Sequence, residues 1–424
     1  MNKVLPLISL FIMSIISIFY WAFKPKEVLY EAKWNAPDTT IAITIDGEIS
    51  TTFPTTPAYT GTVECTNGTG KIEWKKTKWV LTTNNITKGN IKCNALFITR
   101  DLTLSEIILL NNEIETPLTV PGKEVSSENE AILASTEDDY GTSYYFRGTV
   151  KNNYVEFANK CWRIVRITGD GSIKIILHND NISGVSSPCS SANNSSSAAF
   201  AKYNGTDYTT SFNPNSVDNA YLGFMYGTTG ASDYTSAHAN TNKSTILTNL
   251  ETWYINNLTS YADKLADTIW CNDKSTSDSG YYVFESYYGA YDRITTNSSP
   301  SLICPADKNN GNLSKLTAID KINGNGALSY KIGLLTVDEM TFAGCLYRTN
   351  NANVYLQENA SSNNWWIMTP DRYKGHAYIW MASTGSALLT YAAYYSYGLR
   401  PAISLTSSVT ASGTGTSEDP YIVK

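Results

Sequence analysis

The chain holds little of the usual material for acid–base catalysis. Its 424 residues include three histidines, His178, His238 and His376, the side chain that most readily changes charge near neutral pH. A nucleophilic triad needs a histidine held beside a nucleophile on a sharp turn. Here His178 precedes an Asn-Asp turn and His238 sits in a serine- and asparagine-rich loop. No pair of carboxylates stands out as an acid and base. The stretch Asn323-Gly-Asn-Gly326 lacks the Lys-Ser/Thr ending that meets a phosphate and its magnesium, so it reads as a turn. The seven cysteines, Cys65, Cys93, Cys161, Cys189, Cys271, Cys304 and Cys345, show no C-x-x-C or Cys/His spacing of the zinc-binding kind. Aromatic residues, in contrast, are abundant, with 29 tyrosines and 10 tryptophans. They point to recognition rather than turnover, and no enzyme is expected.

Composition sets the outer limits. A net charge of −6 with 17% charged residues argues against a nucleic-acid binder, which would carry a basic surplus or stripe. The 42% hydrophobic content is too high for a disordered chain, and the length suits two folded units. Residues 4–23 carry no charge and are flanked by Lys3, Lys24 and Lys26, a run long enough to span a bilayer. Tyr20, Trp21 and Phe23 read as an interfacial belt. No small-x-small site follows, so 1–26 reads as a signal anchor, with a cleaved signal peptide as the alternative. Widely scattered cysteines suit disulfides in an exported protein. Cys65 with Cys93 is the first pairing expected, since both lie in one small unit; Cys271 with Cys304 is the second, and an odd thiol remains.

These residues need elements to hold them. After a linker at 27–38, residues 39–100 alternate in short strands at 40–45, 61–65, 72–74, 79–81 and 91–97, with turns at Asp46-Gly47 and Asn67-Gly68. That spacing predicts a small β-sandwich stapled by a disulfide. Thr103-Leu-Ser-Glu106 is a capping box opening a short helix, and Pro117, Pro121 and Gly122 complete a helix-and-linker stretch over 101–129. From 130 to 424, strands are predicted at 144–148, 155–157, 161–167, 172–177, 378–381, 387–390, 399–405 and 421–423. Residues 244–266 follow helical spacing, and Thr336-Val-Asp-Glu339 is a second capping box. Few helices, many short strands and long loops make this region a mixed α+β domain.

Several linked motifs in that domain resemble a family of exported surface proteins from low-GC Gram-positive gut bacteria. They include Glu137-Asp-Asp-Tyr-Gly-Thr-Ser-Tyr-Tyr-Phe-Arg-Gly148, Trp162-Arg-Ile-Val-Arg-Ile167, Ile332-Gly-Leu-Leu-Thr-Val-Asp-Glu-Met340, Asn364-Trp-Trp-Ile-Met-Thr-Pro370 and Tyr397-Gly-Leu-Arg-Pro-Ala402. The tryptophan pair and the Gly-x-Arg-Pro strand also resemble the C-type-lectin-like fold, shared with formylglycine-generating enzymes and the variable proteins of diversity-generating retroelements. Residues 39–100 resemble the small immunoglobulin-like units placed before such domains.

The resemblance implies a membrane-tethered extracellular protein that binds glycan or protein, an adhesin, with no nucleic-acid partner. Its binding face would lie just before the Gly-x-Arg-Pro strand, at Arg372, Tyr373, His376, Tyr378, Trp380, Tyr391, Tyr394, Tyr395 and Tyr397. Strand alternation puts His376, Tyr378 and Trp380 on one face and apolar Ala377, Ile379 and Met381 on the other. Trp365, Trp366, Arg400 and Pro401 read as fold determinants, with Arg400 meeting a buried acid or backbone carbonyls. No cofactor is expected. A calcium ion would find its oxygens at Asn272 and Asp273, but a cysteine intervenes after Trp270 and no Glu-Pro-Asn or Gln-Pro-Asp motif is present. Formylglycine-generating activity would need a close thiol pair near the domain's end, where Cys345 stands alone. The competing readings are a structural envelope protein without a dedicated ligand and a divergent enzyme on this fold.

Overall fold

A computed structural model describes residues 40–66, 68–84, 91–125, 130–277, 280–307 and 313–424. The anchor read at 1–26 and the linker at 27–38 lie outside the described residues; among the described residues, no helix is long and apolar enough to cross a membrane. The chain divides into two compact units, one ending at Leu102 and the other running from Thr103 to Lys424.

In the first unit, β1 (Thr40–Ile45) turns into β2 (Glu48–Ser50) through Asp46 and Gly47, at φ 49° and 90°. Positive φ at both turn residues matches the right-handed twist of a hairpin. Next come β3 (Tyr59–Thr66), the hairpin of β4 (Thr69–Lys75) with β5 (Lys78–Asn84), and β6 (Lys92–Thr99). One sheet runs β2-β1-β6-β3, with β1 and β6 parallel, and the β4–β5 hairpin forms a second sheet. β6 buries Cys93, Ala95 and Phe97 and exposes the residues between them, the two-residue period of a half-buried strand. Ile43, Ile72, Trp79, Leu81 and Phe97 draw the core from both sheets. The Cys65–Cys93 disulfide links directly opposed residues of β3 and β6 within one sheet. Gly70 of β4 lies against that bridge, where a Cβ would come 2.7 Å from the Cys65 sulfur.

The second unit begins with the capped helix Leu104–Asn111. Thr103 Oγ1 accepts from the Glu106 amide while the Glu106 carboxylate accepts from the Thr103 amide. Its first amide, Leu104, donates to Val409, so the helix packs with the larger unit. β7 (Ala131–Asp138), β8 (Gly141–Gly148), β9 (Tyr154–Phe157), β10 (Lys160–Ile167) and β11 (Ile173–Asn179) build most of an eight-stranded sheet. β10 and β11 are buried along their whole length. The peripheral strands are β12 (Thr209–Ser211), β13 (Met225–Tyr226) paired with β14 (Asn242–Lys243), β15 (Trp270–Cys271), β16 (Glu285–Tyr287) and β17 (Lys315–Leu316), which pairs with β15.

A six-stranded sheet then runs β12-β21-β18-β19-β20 with β16 beside β18, where β18 is Trp365–Lys374, β19 Ala377–Ala382, β20 Leu388–Ala392 and β21 Ser396–Gly398. β22 (Ala402–Leu405) returns to β11, and β23 (Ala411–Ser412) and β24 (Tyr421–Val423) close the first sheet beside β9. One hydrophobic cluster spans both sheets, with Trp162, Trp253, Trp270, Trp365, Trp366 and Trp380 all buried in it. The unit is therefore α+β. The helix read over 244–266 is shorter than its spacing suggests. It runs Thr245–Asn257, Leu258 leaves helical geometry, and Thr259–Lys264 continues as a 3-10 turn.

The second capping box holds the helix Val337–Ala343 and fixes it to the sheet. Glu339 Oε2 accepts from the Thr336 amide, while its Oε1 accepts from Arg166 of β10 at 3.0 Å and Lys174 of β11 at 2.7 Å. Two disulfides complete this unit, Cys161–Cys189 and Cys271–Cys304; the first is a pairing the sequence did not suggest. Cys345 is the free, buried thiol.

Candidate functional site

The six-stranded sheet and the turns joining its strands carry all nine residues read as a binding face, but they divide them. Tyr287 of β16 lies opposite Arg372 of β18, and Arg372 lies opposite Tyr378 of β19. Opposed residues share a face, and the Arg372 guanidinium sits 4.4 Å from the Tyr378 ring centroid. Two residues on, Trp380 has the same facing, as alternation requires, yet it is fully buried. The segment after the helix Val337–Ala343 folds across the sheet there. Leu388 donates to Leu346, Arg348 donates to Leu388, and the Tyr347 ring packs edge-on to Trp380 at 5.6 Å. Trp380 is therefore a core residue, not part of a recognition face, because a non-adjacent loop covers it. Tyr373 is also buried, at 8% exposure, with its hydroxyl donating to Val217.

On the reverse face, Tyr391 lies opposite Ile379. Around it gather Tyr395 at 5.5 Å and Tyr397 at 5.6 Å, both edge-on, while Tyr394 stacks on Tyr395 at 4.6 Å. Tyr397 leans on buried Trp366 at 4.9 Å, which fixes the cluster to the core. Tyr391, Tyr394 and Tyr395 remain 36%, 44% and 42% exposed. His376 lies 5.6 Å from Tyr394, and its Nδ1 shares a 2.8 Å hydrogen bond with Ser216 Oγ. Among the described residues no carboxylate is hydrogen-bonded to His376.

Asp371 lies beneath Arg372, fully buried. Its Oδ2 accepts from Arg372, and its Oδ1 has no hydrogen-bond partner. Burial pushes its carboxyl up to about 7, against the pull of Arg372. The four residues read as fold determinants are all buried. Arg400 donates to the carbonyls of Leu177 and Leu356 and lies 5.0 Å from the Trp365 ring centroid, while the Pro401 carbonyl accepts from Leu177.

The other histidines are buried. His178 stays neutral, since burial and the nearby Arg163 and Arg400 cations hold its pKa well below the usual range. His238 is hydrogen-bonded to Tyr288 and Tyr234. Asn272 and Asp273 are engaged within the protein: Asn272 accepts from Phe224 and donates to Met368, and Asp273 faces Arg293 at 2.8 Å. No cluster of three or more His, Cys, Asp or Glu suited to a metal occurs among the described residues.

One feature is absent from the sequence reading. A cleft of about 840 Å³ opens at the far end of the β19–β20 hairpin, lined by Tyr154, Tyr355, Glu358 and Ser386. Glu358 there accepts from Tyr154 at 2.9 Å and Arg163 at 2.6 Å. Its residues come from five separate segments of the chain, so no local motif announces it. Comparison with known protein families, curated proteins and solved structures gives no match for this chain.

Proposed function

We propose that this is a non-enzymatic bacterial cell-surface protein, an adhesin. In this reading residues 1–26 anchor it, an immunoglobulin-like unit follows, and a C-type-lectin-like domain binds a glycan or protein. The observation that carries the reading is the stack of Tyr391, Tyr394 and Tyr395, solvent-exposed on one side and braced through Tyr397 on Trp366. A braced aromatic patch loses little side-chain entropy on binding, and its rings offer flat apolar faces to a sugar or a partner's side chains. Three disulfides are the mark of a chain that folds in an oxidising environment, consistent with exposure outside the cell.

The test is binding of residues 26–424 to glycan and host-protein arrays, with calcium and with chelator. Tyr394→Ala and Tyr395→Ala are expected to weaken binding about tenfold or more, as truncated aromatic anchors do, without changing the melting temperature. Absence of binding by a folded sample would replace this reading with that of a structural envelope protein.

A further inference from the structure

The face opposite the tyrosine stack holds a second feature. A depression of about 500 Å³ is lined by Tyr287, Tyr291, Tyr347, Arg348, Arg372 and Lys374, together with two threonines. We infer that it is a binding site for an acidic saccharide, a sugar ring bearing a carboxylate or a sulfate. This rests on the reading of the unit as a binding module, but it uses different residues on a different face.

The lining contains three cations and no carboxylate, in a chain whose net charge is −6. Arg348 is the least compensated of the three. It is exposed, forms no ion pair among the described residues, and lies 4.9 Å from the Tyr347 ring centroid. Its backbone is held at φ 56°, a conformation that costs a non-glycine residue free energy and tends to persist where a site requires it. Arg372 is already oriented by Asp371, by Thr390 at 3.2 Å and by the Tyr378 ring. Lys374 pairs with Glu285 on the rim, at 61% and 46% side-chain exposure, and such exposed pairs are weak enough to be displaced by a ligand.

The remaining wall is aromatic, with the Tyr287 and Tyr291 rings 4.8 Å apart. The volume suits one or two pyranose rings. Tyrosine faces would meet the apolar face of a sugar, while an arginine fork matches a carboxylate or sulfate through paired N–H bonds. A small inorganic anion would leave those rings unused, so the saccharide is the better fit.

The full chain in detergent would be titrated with glucose, glucuronic acid, glucose 6-sulfate and inorganic sulfate. The two acidic sugars are expected to bind at least tenfold more tightly than glucose and than sulfate, and their comparison decides between carboxylate and sulfate. Arg348→Ala should remove that preference, Arg348→Lys should restore part of it, and Tyr394→Ala should leave it unchanged. Equal binding of glucose and the acidic sugars, equal binding of sulfate alone, or full affinity in Arg348→Ala at unchanged melting temperature would overturn the inference. Loss of array binding in Tyr394→Ala with no acidic-sugar preference anywhere would sink this site and leave the tyrosine patch standing. Acidic-sugar binding lost only in Arg348→Ala, with no ligand sensitive to Tyr394→Ala, would do the reverse.

Discussion

Asp371 imposes a cost on the fold that pH can reveal. Its carboxyl sits at about 7 in the folded protein against an ordinary 3.8, because burial disfavours the charge more than Arg372 favours it. Between those values the folded state holds a proton that the unfolded state has released. This contribution to stability is fully present below about pH 4 and is lost as pH rises through about 7. Asp371→Asn should therefore flatten the dependence of the urea midpoint on pH over that window and raise the midpoint at pH 8. A slope unchanged by the substitution would refute this account. Such a residue is invisible to sequence reading, since nothing in Thr-Pro-Asp-Arg says that the strand is covered on both faces. Trp380 teaches the same point from the other side. Its facing was legible from alternation, but its burial depends on Tyr347, more than 30 positions upstream.

Elements with a local chemical signature were legible, and those defined by what covers them were not. Both capping boxes are formed, at Thr103–Glu106 and Thr336–Glu339. The second opens a seven-residue helix buried at every position, so no amphipathic pattern existed to reveal it and the cap was the only signal. Replacing Thr336 with Ala removes the acceptor for the Glu339 amide and should cost about 1 kcal/mol, read as a lower thermal midpoint. A fall several times larger would mean that Thr336 also orients Glu339 toward Arg166 and Lys174. β7 went unread because Ala131–Asp138 ends in a polar run, and β8 supplies its pairing. The tyrosine patch was half legible. Its composition was plain, but Tyr394 and Tyr395 sit in a turn where the two-residue period does not apply, so their grouping around Tyr391 needed the structure.

At the scale of the whole molecule, the cysteines divide into three bridged pairs and one inaccessible thiol. Burial pushes Cys345 up to about 12 and removes the thiolate that alkylating reagents attack. Native protein should take up no iodoacetamide, denatured protein without reductant one equivalent, and reduced denatured protein all seven. Labelling of the native state would contradict the placement of Cys345. Each bridge closes a loop of roughly 30 residues, worth about 3–4 kcal/mol in the chain-entropy account. Cys161–Cys189 escaped sequence reading because Cys189 lies in a serine-rich loop with no local tie to β10.

The pairing of β24 with β9 brings Tyr421 beside Val155, more than 260 positions apart in the chain. A polypeptide made from its N-terminus presents residues 154–157 long before their neighbour exists. One edge of that strand stays open throughout synthesis of the intervening chain, and contacts so distant in sequence form slowly. The unit is thus sealed last from its C-terminal side. Until then the open edge of β9 is where a nascent copy would meet its neighbour.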